Sequence, residues 1–356
     1  RPPGPVPPPM GEPVPPAVAG SAAPPKQPAA VASARPADAA TLTRDRTERT
    51  DRKRSGDRKK SKSAERAKSG TEQTSDDAEP TPPVPVPRIP SLAVAGFAFL
   101  LGMGLILGAQ TAGPDARGPF AVVIFGVQVL YVAAWIMALR PPAPIVVGVV
   151  CVAVAGAASA AAILPTIAGL APLGFTAAAG FVVGVLGQLV RAKDRARVTD
   201  SLGATLFIVI GVVAFAALIV LSRRPLGTQA IFVCLTATAV ALTVARLTDA
   251  VLPAPRLAPQ VPRGAAGVVF GAMLGTLAAA VLGRYLVGFT PTTAAVVGLV
   301  AGATAVLMDL AVGYLEAGRQ MAGEKPTFWA ARHGQGPLGG FALAAPVAYA
   351  VTVFLV

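Results

Sequence analysis

From residue 92 to the C-terminus the chain runs in long apolar stretches rich in Ala, Leu, Val and Gly, separated by short polar breaks. Their lengths approach the roughly 20 residues that an α-helix needs to cross a bilayer. Nine spans are predicted, at 92–110, 120–139, 145–163, 166–190, 201–221, 228–246, 264–283, 292–313 and 339–356. None alternates with period two, so the strands of a membrane barrel are not expected. The pattern predicts an all-α, polytopic membrane protein of about nine transmembrane helices.

The first 91 residues follow another pattern. Residues 1–36 and 80–90 are Pro-rich without periodicity, a composition that favours solvated polyproline conformations over a packed core. Between them, residues 44–68 carry twelve basic and five acidic side chains and no aromatic residue. Such a run suits anionic lipid headgroups; with nothing for bases to stack on, nucleic acid is not favoured. A disordered cytoplasmic tail over 1–91 and a membrane domain over 92–356 are expected.

Composition sharpens this division. Of 356 residues 53% are hydrophobic and 14% charged, with a net charge of +13. The tail holds 16 of the 31 Lys and Arg and 11 of the 18 Asp and Glu, leaving 15 basic and 7 acidic groups for the other 265 residues. So few charges cannot cover a soluble domain, which excludes a soluble enzyme and a wholly disordered chain. Cys151 and Cys234, each in an apolar run, read as buried small hydrophobes and exclude a disulfide scaffold. No apolar signal-peptide core occurs in the first thirty residues, so no signal peptide is expected there.

Loop charge predicts orientation. Loops after the even-numbered predicted spans, counted with Arg246 at the end of the sixth, hold eleven Lys and Arg, and those after the odd-numbered ones hold four. By the positive-inside rule the even loops and the basic tail lie in the cytoplasm and the C-terminus outside, in a cell membrane. Glycines spaced by four, at Gly180/Gly184, Gly267/Gly271/Gly275 and Gly298/Gly302, predict smooth helix faces for close packing.

The seven acidic residues beyond the tail are Asp115, Asp194, Asp200, Asp249, Asp309, Glu316 and Glu324, and all but Asp115 fall on the predicted cytoplasmic side with His333. Asp309 interrupts an apolar span. An ionisable group near the bilayer centre costs roughly 2.5–3.5 kcal/mol on insertion scales, so Asp309 marks a functional site or pairs with an Arg. Asp249, on a neighbouring helix end, joins it as a candidate ligand for a divalent ion holding nucleotide phosphates. His333, in the polar Gly-rich stretch after span eight, is a candidate general base. Residues 334–339, GQGPLG, match the dinucleotide-binding spacing, but no strand precedes them and the match is rejected.

Over residues 92–356, and best over 246–356, the chain resembles the membrane-embedded phosphatidate cytidylyltransferases, or CDP-diacylglycerol synthases. RLTDAVLPAPRLAPQVPRGAAGVVFGAMLG has that family's layout of an acidic helix end, a Ser-Pro-Lys-Lys-Thr-type loop and a Gly-rich helix, with Asp249 at the acidic position. MDLAVGYLEAGR, EKP and HGQGPLGGFALAAPVAY follow where the family has Gly-Asp-Leu-x-Glu-Ser-x-x-Lys-Arg, Lys-Asp and His-Gly-Gly-x-x-Asp-Arg-x-Asp-Ser. Asp309, Arg319, Lys325, His333 and Gly334 match the signature. Gly313 stands for its Ser, Pro326 for an Asp, and LGGFA for the last acidic string.

The resemblance implies transfer of a cytidylyl group from CTP to phosphatidate with release of pyrophosphate, in phospholipid biosynthesis. It implies Mg²⁺ held by Asp249 and Asp309, catalytic roles for Asp309 and His333, and phosphate binding by Arg319, Lys325 and Arg263. The missing carboxylates keep a second reading open: a catalytically degenerate relative that binds membrane lipid or partner proteins, or pairs as a homodimer. A transporter is weaker, since the polar groups cluster at one face and no repeated halves are visible.

Overall fold

The computed structural model describes residues 88–111, 118–189 and 198–354, and within them the only bridge of β type is an isolated pair, Arg256 and Gly264. The described residues form nine helices: α1 Arg88–Gln110, α2 Gly118–Leu139, α3 Pro144–Ile163, α4 Ala171–Leu189, α5 Val198–Ser222, α6 Gly227–Val251, α7 Ala265–Leu282, α8 Pro291–Met321 and α9 Trp329–Phe354. Each is long and apolar enough to cross a membrane. The chain is an all-α, polytopic membrane protein. The tail expected to be disordered lies outside the described residues, save for its last four positions, 88–91, which open α1. Pro90 is tolerated there because a first-turn N–H has no helical acceptor to lose.

The helices fall into two groups. Helix α5, buried without a break from Phe215 to Leu221, packs on α2, α3, α4 and α9. Helix α6 packs on α1, α7, α8 and α9, so α9 is the element common to both groups. A buried polar thread ties the first together: Gln128 donates Nε2–H to the Val212 carbonyl at 2.8 Å and accepts from Ser159 Oγ at 3.1 Å. Such bonds join helices that have no hydrophobic reason to prefer one another over lipid.

The spaced glycines fulfil their expected packing role. A Cβ on Gly271 would stand 2.6 Å from the Ala241 carbonyl oxygen, and one on Gly275 would stand 2.7 Å from that of Ala237, so α7 lies directly on the α6 backbone. Gly298 meets Ala279, and Gly302 faces Ala241.

Several predicted boundaries move. Helix α6 runs on past Arg246 to Val251, α8 runs to Met321 rather than 313, and α9 starts at Trp329 rather than 339, taking in Pro337 and the GQGPLG stretch. The predicted ends were placed where hydropathy falls. The helices continue because the polar side chains on the extra turns pair with one another, and helical backbone satisfies itself where water is scarce. Helix α4 begins at Ala171, five residues after the predicted 166, and residues 164–170 form bends and irregular backbone instead.

Loops after α2, α6 and α8 meet at one end of the bundle. Arg140, which closes α2 with φ of 46°, donates its guanidinium to the carbonyls of Lys325 at 3.1 Å and Pro326 at 2.6 Å. The loop after α4 lies outside the described residues.

Because the α7 stripe has no room for a methyl group, Gly271→Ala is expected to lower stability by about 1–3 kcal/mol. A Cβ on Gly96 meets nothing within 4 Å, so Gly96→Ala should melt like the parent. Thermal unfolding in detergent compares the two; equal melting would refute the close α6–α7 contact.

Candidate functional site

The end of the bundle where these loops meet carries a buried charge cluster supplied by α6, α8 and the loop between α6 and α7. Arg246 and Asp249 are one turn apart at the end of α6. Asp309 comes from α8 and is fully buried. Arg263, with 2% of its surface exposed, precedes α7 and reaches between the two carboxylates.

The loop that carries Arg263 is folded by Asp249. Asp249 Oδ1 accepts the Gly264 backbone N–H at 3.0 Å, and its Oδ2 accepts Arg263 Nη1–H at 2.6 Å. The loop closes on itself where Ala265 N–H donates to the Pro255 carbonyl at 2.9 Å. Helix position and loop shape therefore fix one guanidinium, which also donates Nη2–H to Asp309 Oδ2. Arg246 grips the same carboxylate from the other side, with Nε–H on Oδ2 at 2.9 Å and Nη2–H on Oδ1. All four carboxylate oxygens thus have donors, and two positive groups balance two negative ones. Buried carboxylates survive only with such pairing.

Helix α9 closes the cluster. A Cβ on Gly336 would collide with Asp309 Oδ1, so glycine at this position is what lets α9 lie against the carboxylate. One turn earlier, His333 donates Nδ1–H to the Trp329 carbonyl at 2.8 Å; since a carbonyl only accepts, the neutral ring keeps its lone pair on Nε2. Trp329 and His333 face each other with ring centroids 5.1 Å apart.

Beside the cluster lies a polar cavity of about 260 Å³, lined by Ser91, Arg246, Arg263, Glu316, Arg332 and His333 among others. Glu316 is occupied: its carboxylate accepts from Thr327 at 3.0 Å and Gln320 at 3.2 Å and pairs with Arg332 at 3.6 Å. Arg263 Nε–H is buried without a hydrogen-bond partner. Four arginines at 246, 263, 319 and 332 face three carboxylates at 249, 309 and 316, which leaves a positive excess.

The structure brings Asp249, Asp309 and Arg263 together and puts His333 on the same cavity as Arg263. It sends the other two predicted phosphate binders elsewhere. Arg319, 3.9 Å from Glu316, donates to the Ala138 carbonyl at the end of α2 and is not on the cavity wall, and Lys325 is exposed, its own carbonyl held by Arg140. Arg246, Gly336, Glu316 and Arg332 belong to the site without having been singled out from sequence. The i,i+3 spacing of Arg246 and Asp249 was a visible signal, as was the i,i+4 spacing of Arg332 and Gly336; neither says what lies opposite.

Mg²⁺ requires free oxygen ligands in near-octahedral array. Here each oxygen of Asp249 and Asp309 already accepts an N–H, and the place between them is taken by a guanidinium. Among the described residues no group of three or more His, Cys, Asp and Glu is arranged to hold a metal. This donor set does not fit Mg²⁺. What it offers instead is a fixed positive group beside a cavity.

No protein-family model matches the chain, and no curated protein matches it.

Removing Arg263 leaves two buried carboxylates to share Arg246. Arg263→Ala is expected to cost about 3–5 kcal/mol of stability, and Arg263→Lys less, since one ammonium cannot reach both partners equally. Unfolding in nanodiscs measures both; an Arg263→Ala protein as stable as the parent would contradict the bridging role.

Proposed function

We propose that this protein binds the phosphate-bearing headgroup of an anionic membrane lipid in the polar cavity, without a divalent metal, on a bundle laid out like a cytidylyltransferase. The observation that carries this reading is Arg263 standing between Asp249 and Asp309. In nucleotidyl transfer a cation neutralises the phosphates during attack on phosphorus. A guanidinium held on both sides by carboxylates has little charge left for a triphosphate, whereas the neighbouring, partly exposed Arg332 on the cavity wall suits one phosphate group. The reading is therefore the binding protein, and the cytidylyltransferase signature supplies its scaffold.

The cluster then has a structural task. It sets the 252–264 loop and the start of α9 around the cavity, and the fixed arginines present donors without reorganising. His333 contributes a cavity wall and, when protonated, a further donor. The basic run at 44–68 suits anionic headgroups, and the loop-charge bias favours a cytoplasmic side for the tail and for the cavity end in a cell membrane.

Binding and catalysis are separable in one preparation. Purified protein with CTP, phosphatidate and Mg²⁺ should release no pyrophosphate, while phosphatidate binding should persist in excess chelator and weaken about tenfold in Arg332→Gln. Pyrophosphate release abolished by Asp309→Asn would instead establish the transferase.

Orientation has its own test. Glu324→Cys and Arg284→Cys place thiols in exposed loops at opposite ends of α8 and α7, and both native cysteines are buried, so labelling background is low. In intact cells an impermeant maleimide should label position 284 and spare 324. The reverse pattern would invert the topology.

A further inference from the structure

Resting on the headgroup reading, we infer that the apolar groove adjoining the polar cavity holds one acyl chain of the same lipid. The occupant of the combined site is then a single anionic phospholipid, not free phosphate and not a soluble nucleotide.

The two spaces share a wall. The groove, about 230 Å³, is lined by Phe97 of α1, Leu130 and Met137 of α2, and Trp329, His333 and Leu338 of α9, among others. Trp329 and His333 also line the polar cavity, so this ring pair is the threshold between a space edged by arginines and one edged almost wholly by hydrocarbon. His333 is fixed at that threshold by its bond to the Trp329 carbonyl. An indole at such a boundary presents an apolar face to one side and a polar edge to the other.

The groove is open toward the outer surface of the bundle. Leu130 and Met137 are 44% and 42% exposed and Trp329 is 56% exposed, within helices long and apolar enough to cross a membrane. Small side chains at Ala93, Ala134 and Ala330 leave the space between these larger ones. At that position the surrounding solvent is lipid, and a channel of this lining is filled by a hydrocarbon chain. A chain there and a phosphate beside Arg332 lie on the two sides of one residue pair, as the parts of one molecule joined through glycerol would. Charge complementarity selects an anionic headgroup; the groove selects a lipid over its water-soluble fragment.

The test uses the full chain in nanodiscs and reads tryptophan fluorescence, for which Trp135 and Trp329 are the two reporters. Trp135 is buried, so quenching from the groove falls on Trp329 and should vanish in Trp329→Phe. Phosphatidate brominated along its acyl chains should quench saturably, and brominated phosphatidylcholine should not saturate over the same range. Ala93→Phe and Ala330→Leu, made separately at exposed positions of two different helices, fill the groove. Each should weaken phosphatidate binding about tenfold and leave the affinity for glycerol 3-phosphate unchanged.

Equal saturable quenching by both lipids would overturn the inference, because bulk lipid would then occupy the groove. Unchanged phosphatidate binding in both groove variants would overturn it as well. In either case glycerol 3-phosphate binding that is lost in Arg332→Gln would leave the headgroup reading standing. Failure of both glycerol 3-phosphate and phosphatidate to bind the parent protein would remove that reading itself, and the inference with it.

Discussion

One guanidinium organises this end of the protein. Arg263 is almost fully buried and touches Asp249 and Asp309, which come from helices that would otherwise bring two negative charges together in a medium of low polarity. Without a cation between them the two helix ends would repel, and neither carboxylate could remain ionised and dry. The position of Arg263 in turn depends on Asp249, which accepts the next backbone N–H and so shapes the loop that delivers the guanidinium. Loop, helix ends and charge balance are one construction. A bridge of this kind substitutes a covalently attached cation for a diffusible one, and that alters what the site can do. The charge is permanent and correctly placed, but it is committed to the carboxylates.

The bundle supplies the frame that this construction needs. Helix α6 is held against α7 by glycines that admit backbone contact, so the end of α6 and the start of α7 are fixed relative to each other. Helix α9 packs on α2, α5, α6 and α8 and brings Gly336 onto Asp309, with Arg332, His333 and Trp329 on the preceding turns. A polar cavity and an apolar groove then arise on either side of the same two rings, because α9 passes from the charged cluster to the membrane-facing surface between α1 and α2.

Much of the architecture was legible in the sequence, since span length and hydropathy are local properties that a bilayer reads directly. Asp309 stood out for the same reason, as a charge in an apolar helix, and the structure gives it two arginine partners. The partners themselves were not legible. Arg246 and Arg263 stand in the sequence as basic groups supporting a cytoplasmic assignment, and Arg263 also as an expected phosphate binder, whereas both are internal counter-ions; pairing across 63 and 46 positions of chain leaves no local trace. Leaving both out, the even loops remain the more basic set, so the orientation argument does not depend on them. The expected start of α9 fell at 339 because the stretch before it is polar and Gly-rich. Contacts with Asp309 and Met308 hold that stretch against α8, and at Gly336 the absent side chain is what the contact requires.

The account stands on Arg263 occupying the place that a metal ion would need. A crystal or cryo-EM structure of the protein equilibrated with Mn²⁺, with anomalous scattering used to locate the ion where crystals allow, examines that place directly. The expected result is a guanidinium between Asp249 and Asp309 with no metal bound to either carboxylate. Mn²⁺ coordinated by both carboxylates, with Arg263 displaced from between them, would contradict it and return the site to metal-dependent phosphate chemistry.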